Sequence, residues 1–254
     1  MPSSWAEIDR WFMGEAWVGS RIDAHLSVLC EQIGVRWAGS DGEQQAAEYI
    51  ASQLAELNMA TPRLEPFTLH TSNCQSARLR LVGAEDWEID VRPSLYCQSL
   101  TCTAPLCDAG YGMPHEILAR SEALAGAVAL LDVGLEPFSD PLPVSRRLRD
   151  LAAAGARAAI ACASQPGRQL THTSGADWRT GALSDAALPL LQTSQEDGAR
   201  LRRCAAAGAH IEIDIETRQF QTNSSNVIGK IEGNTLPREC LILSAHHDTT
   251  PDSP

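Results

Sequence analysis

The residues best equipped for chemistry stand in "LILSAHHDTTPDSP", where an apolar run leads into His246, His247 and Asp248. Neutral imidazole and carboxylate are ordinary zinc ligands, and a metal-bound histidine needs an acceptor for its other ring N–H. On an extended chain, residues two apart point to the same side, so His246 and Asp248 share one face and His247 faces away. Asp248 can then orient His246 while His246 binds a metal. On spacing alone, the same residues also fit a solvated turn at the end of a strand.

Other chemistry-bearing groups carry less. Cys97, Cys102 and Cys107 form an even C-x4-C-x4-C series in "YCQSLTCTAPLCDAG". Structural zinc sites show C-x2-C-type pairs and a fourth ligand. His115 does not supply the missing spacing, so the three read as free thiols in a strand and loop. Cys30, Cys162, Cys204 and Cys240 sit among apolar residues and read as small core side chains. Ser174 lies near His172 and Asp177, but triads are spatial rather than sequential and no G-x-S-x-G elbow is present. Arg146, Arg147 and Arg149 read as a solvated helix face. Glu212, Asp214 and Glu216 read as the outer face of a strand.

These residues need elements to hold them. The periodicity of Ile22, Leu26, Leu29 and Ile33 predicts a helix over 20–33, stopped by Gly34. Ser40 and Glu43 form an S-x-x-E capping box, each side chain expected on the other's free backbone N–H. Ala46, Ile50, Leu54 and Leu57 then line one helix face, ended by Asn58. "TPRLEPFTLH", "ARLRLVG", "WEIDVRP" and "AHIEIDIET" read as separate strands, the first at an edge because of Pro62 and Pro66. "GAVALLDVG", "SRRLRDLAAAG" and "ARAAIACAS" make a β-α-β unit. Ser194 and Asp197 cap a helix ending at Gly208, and residues 165–188 read as loop. "NVIGKIEG" and "CLILSAHHDT" are expected as neighbouring strands joined by an Asn/Pro turn. The second delivers His246 and Asp248 at its C-terminal end, where ligands collect in sheet-based enzymes.

The composition is that of a soluble globular protein, with 44% apolar and 20% charged residues over a length of 254. A net charge of −12 argues against nucleic acid, because phosphate binding needs concentrated lysine and arginine. The longest apolar runs are too short to span a bilayer. "MPSSWAEIDRWFMGEAW" lacks a basic stretch followed by an apolar one, so no signal peptide is read and a cytoplasmic location is expected.

Three separated segments together resemble the zinc-dependent exopeptidases of metallopeptidase family twenty-eight, which includes bacterial leucyl aminopeptidases and glutamate carboxypeptidase. "LCEQIGVRWAGSDGEQQAAEYIASQLAEL" looks like the family's opening helices, with Arg36, Gly39, Ser40 and Glu43 in its R-x-x-G-S-x-x-E pattern. "NSSNVIGKIEG" is similar to the strand entering the catalytic sheet, and "LILSAHHDT" to the metal strand. The middle is similar to the protease-associated domain that many members carry between those segments.

The resemblance implies a partial zinc-exopeptidase (phosphorylase/hydrolase-like) α/β domain, residues 1–68 and 222–254, truncated after its first metal-ligand strand. An α/β protease-associated insert would occupy 69–221. It implies two zinc ions in the complete enzyme, with His246 a ligand of one and Asp248 the carboxylate that orients it. His247 falls where the family has an aromatic residue and takes no ligand role. Substrates would be peptides with a free N-terminus, hydrolysed by metal-activated water. The bridging aspartate, the paired glutamates, a further carboxylate ligand and a late histidine have no match, and Asp252 lacks the surrounding pattern. The chain alone is therefore expected to be an inactive fragment. The competing expectation is a non-catalytic binding module of the same family.

Overall fold

The computed structural model describes residues 4–57, 59–83, 86–134, 137–170, 172–174, 187–233, 235–236, 239–250 and 253. The chain divides into two units, one of residues 70–220 and one of residues 1–69 with 221–254.

In the 70–220 unit, short runs of small and branched apolar residues make strands buried on both faces. The strands in chain order are β1 (Ala60–Val82), β2 (Trp87–Ile89), β3 (Arg92–Pro93), β4 (Leu100–Asp108), β5 (Val128–Asp132), β6 (Ala158–Cys162), β7 (Leu190–Thr193) and β8 (His210–Lys230). The sheet order is β2-β1-β8-β4-β5-β6-β7-β3. Its centre, β4 to β7, is parallel, and β8, β2 and β3 join antiparallel.

Alternate residues feed two cores. Val128, Leu130 and Ile160 pack with Ile211, Ile213 and Leu201, whereas Ala129 and Leu131 pack with Leu148 and Leu151 on the other face. A parallel sheet covered on both faces reads as a continuous apolar run for this reason. The expected β-α-β unit is β5, the helix Val144–Ala153 and β6. The strand β7, in "LPLLQT", has no sequence signal because two leucines after a proline carry no periodicity of their own.

Three sequence expectations fail here. Arg147 is not on a solvated face; it is 3% exposed, and its guanidinium donates to the carbonyls of Leu142, Tyr111, Asp132 and Gly134. Helical spacing turns it inward between exposed Arg146 and Arg149. The segments read as separate strands are continuous in β1 and in β8. Their polar middles, "TSNCQ" and "RQFQTNSS", look like turns but belong to extended chain that is largely exposed beyond residue 72 and around residues 216–223. Cys240 is exposed rather than a core side chain.

The unit of residues 1–69 and 221–254 holds the helices α1 (Trp5–Val18), α2 (Ile22–Leu26) and α3 (Asp41–Glu56), with a π-helix Ser27–Ile33 between α2 and α3. Gly34 stops the π-helix as expected, with φ at 76°, a left-handed angle that favours glycine. Helix α1 went unread, although Ser4 and Glu7 form a reciprocal cap at 3.3 and 3.2 Å. None of its residues is buried, although Trp5, Ile8 and Phe12 recur at helical spacing.

Ser40 caps α3 through its Oγ, which accepts from the Glu43 N–H at 3.3 Å. The reciprocal half of the expected box is absent. The Ser40 N–H bonds the Trp37 carbonyl at 2.8 Å, and the Glu43 carboxylate accepts from Gly39 N–H at 2.6 Å. Asn58, the expected end of this helix, lies outside the described residues.

"CLILSAHHDT" is not a strand among the described residues. Leu241, Ile242 and Leu243 stand 87%, 79% and 89% exposed with no ladder partner there. A strand is defined by the backbone bonds of a neighbour, and high β propensity does not supply one. No helix among the described residues is long and apolar enough to cross a membrane.

Candidate metal-ligand site

The segment that carries His246 and Asp248 is fixed by the stretch that leads into α3. Arg36 is 8% exposed. Its backbone N–H donates to Thr249 Oγ1 at 2.9 Å, and its carbonyl accepts from the Thr249 N–H at 2.9 Å. Its Nε donates to the His247 carbonyl at 3.0 Å. Its Nη1 donates to the carbonyls of Leu29 and, at 2.6 Å, Gly34, which close the π-helix.

The rest of R-x-x-G-S-x-x-E has comparable work. Gly39 has φ of 83°, and a Cβ there would strike the Thr222 methyl of β8. Glu43 is 5% exposed, and its Oε1 accepts from Ser224 Oγ of β8 at 2.5 Å. The same oxygen lies 3.6 Å from His247 Nε2, so that ring packs toward Glu43 rather than beside His246.

Asp248 lies against His246. The His246 Nδ1 is 3.2 Å from Asp248 Oδ1 and 2.9 Å from the Asp248 carbonyl. Both partners offer acceptor oxygens to Nδ1, so a neutral ring here would carry its proton on Nδ1 and its lone pair on Nε2. The imidazole is 84% exposed, which leaves Nε2 open. Chemically this is one pre-oriented nitrogen donor.

No group of three or more histidine, cysteine or acidic side chains among the described residues could hold a metal ion. Cys102 and Cys107 lie five residues apart on β4 and pack against opposite faces of the sheet, so they do not converge. Burial pushes the Cys97 thiol up to about 11 and the Cys162 thiol up to about 12, as expected of protonated core side chains. Ser174 bridges Leu95, and Asp177 and Asp252 lie outside the described residues.

Thr249 and Ser224 were missed by sequence reasoning. A threonine after an aspartate and a serine in "NSSN" carry no spacing signal, and only the folded contacts distinguish them.

No family model matches the chain. It is 25% identical over 233 residues to Aminopeptidase YwaD of Bacillus subtilis strain 168, covering 90% of this chain and 46% of that protein. The structure superposes on a peptidase M28 precursor from Shewanella amazonensis with a TM-score of 0.75 and 18% identity, over 96% of this chain and 57% of that one. This is the fold of metallopeptidase family twenty-eight. An aminopeptidase from Aneurinibacillus matches with a TM-score of 0.63 and 21% identity, over 84% of this chain and 48% of its own. BSAP, a zinc aminopeptidase from Bacillus subtilis, matches with the same TM-score and identity, over 84% and 47%. The likeness to family twenty-eight drawn from three short motifs therefore extends along the chain, which spans about half the length of the relatives it matches.

Proposed function

We propose that this chain carries the first metal-ligand segment of a zinc-dependent aminopeptidase, acting on peptides with a free N-terminus. His246 is the zinc ligand and Asp248 the carboxylate that holds its ring. Residues 1–68 and 222–254 belong to the peptidase domain, and 69–221 form the protease-associated-like insert.

The donor chemistry fits zinc. A neutral imidazole whose far nitrogen is open and whose near nitrogen is held by a carboxylate is a common zinc ligand with its usual partner. When bound, the two zincs of the complete enzyme supply a water activated for attack on the peptide carbonyl. The residues of this chain contribute orientation: Asp248 fixes the tautomer of His246, and the lead-in to α3 fixes the backbone of both. A catalytic zinc takes three protein ligands. The others would come from the part of the relatives' length that this chain does not span.

One observation carries the reading: the His246–Asp248 pair, with Nδ1 and Oδ1 at 3.2 Å, sits on a segment held by Arg36 of the R-x-x-G-S-x-x-E stretch. Two measurements test it. The 254-residue chain is expected to retain no tightly bound zinc and to show no leucyl-anilide turnover. In a polypeptide joining it to the half that the relatives add, His246→Ala should abolish zinc retention and turnover, and Asp248→Asn should lower either by about 10–100-fold. A His246→Ala polypeptide that keeps both its zinc and its turnover would sink the reading.

A further inference from the structure

We propose that Arg36 and Thr249 are positioning residues that present His246 in its metal-binding orientation; the metal part of this inference rests on the zinc reading above. Among the described residues, no sheet pairing holds this segment. Leu241–Leu243 have no ladder partner among the described residues and stand in solvent, so no strand neighbour there orders residues 244–249.

Among the described residues, the backbone of this segment is bonded by Arg36. Arg36 grips the chain on both sides of Asp248, at the His247 carbonyl before it and at the Thr249 N–H and Oγ1 after it. With both neighbouring peptides pinned, the Asp248 carbonyl and carboxylate are held where each meets His246 Nδ1. The guanidinium is fixed in turn by the carbonyls of Leu29 and Gly34, so the end of the π-helix is mechanically connected to the imidazole. Lysine cannot reproduce this, because a single ammonium lacks the planar fork that reaches His247 and the helix carbonyls together.

The test uses the whole chain and two readouts. Without metal, NMR measures amide exchange at Arg36 and the His246 χ1 couplings. Thr249→Val keeps the shape but loses the Oγ1 acceptor. It should raise exchange at the Arg36 amide, whose N–H loses its acceptor, about fivefold, and average the χ1 of His246. Thr249→Ser restores the acceptor and should stay within about twofold of the parent, while Arg36→Lys keeps both backbone bonds to Thr249, loses the guanidinium bond to the His247 carbonyl and should likewise average the χ1 of His246. A His246 ring as ordered in Thr249→Val and Arg36→Lys as in the parent overturns the proposal.

The second readout titrates Co²⁺ and follows the ring protons of His246 against those of His70 and His210, both exposed. In the parent chain His246 should respond first. Thr249→Val should require about 3–10-fold more Co²⁺ for half the shift, and Thr249→Ser should not. A His246 response that matches His70 and His210 in the parent, with the metal-free differences intact, sinks the zinc reading and leaves the positioning role standing. An early His246 response that Thr249→Val does not move removes positioning while the zinc reading survives.

Discussion

Two parts of this chain have nearly the same apolar character and opposite fates. "VALLD", "AAIAC" and "LLQT" are strands β5, β6 and β7, with almost every residue at 0–2% exposure. "LIL" at 241–243 is more hydrophobic per residue and stands 79–89% exposed. The first three have ladder neighbours on both sides and helices over both faces; the last has neither among the described residues. An apolar run is a bid for a partner, and its energetic value depends on whether one answers.

That comparison breaks most sharply on core truncation. Leu130→Ala or Leu191→Ala empties space between sheet and helix and should cost about 3–4 kcal/mol in denaturant unfolding of the whole chain. Ile242→Ala or Leu243→Ala should stay within about 0.5 kcal/mol, because an exposed side chain leaves no cavity. A loss of more than about 2 kcal/mol for Ile242→Ala would show that the segment is buried after all.

Arg147 sharpens the same contrast for a charge. Replacing it with methionine leaves four carbonyls without their donor and should cost about 2–4 kcal/mol. Its exposed neighbour Arg146 pairs with Asp150 at 3.0 Å in an i,i+4 contact, and Arg146→Ala should cost no more than about 0.5 kcal/mol. Equal losses for the two would contradict the inward orientation of Arg147.

Buried thiols give the contrast a pH dependence. Folding raises Cys162 from 9.0 to about 12 and Cys97 from 9.0 to about 11. Below pH 9 both are protonated in either state and the effect on stability is complete. Between pH 9 and about 11–12 the unfolded thiols ionise while the folded ones do not, so the unfolded state binds fewer protons and stability falls. Thermal midpoints measured across that window should drop, and the Cys162→Ala/Cys97→Ala variant should drop less. Iodoacetamide at pH 8 should label exposed Cys74 and Cys240 in the folded chain, and Cys97 and Cys162 only on unfolding.

Legibility in the sequence divides along the same line. The unit of β5, the helix Val144–Ala153 and β6 was legible because, Arg147 apart, its elements are mostly apolar where they are covered and a glycine follows the helix. The helix α3 was legible from its cap and its small-residue face. The long strands β1 and β8 were not, because an exposed ribbon needs no apolar alternation to persist. In the candidate site, His246 and Asp248 were readable from residue type and spacing. Arg36 and Glu43 were readable only as members of a pattern. The fold supplies their work, because contacts between residues 36 and 249 or 43 and 224 have no local signature. The strand expected at 240–249 failed for the reason that "LIL" is exposed: propensity without a partner.

The smallest contrast is between two capping serines that make the same bond. Ser4 and Ser40 each accept from the N–H three residues on, at 3.3 Å in both cases. Helix α3 buries Ala46 and Ala47, so losing its cap is felt by the packed unit, and Ser40→Ala should cost about 1 kcal/mol in global unfolding. Helix α1 buries nothing, and its ends can fray without disturbing any core. Ser4→Ala should lower helicity near Trp5, seen as faster amide exchange over residues 7–10, while the unfolding midpoint stays put. A cap stabilises the protein only to the extent that the helix it closes is coupled to the rest. Should Ser4→Ala lower the midpoint as much as Ser40→Ala, α1 must be docked onto a surface whose unfolding it shares.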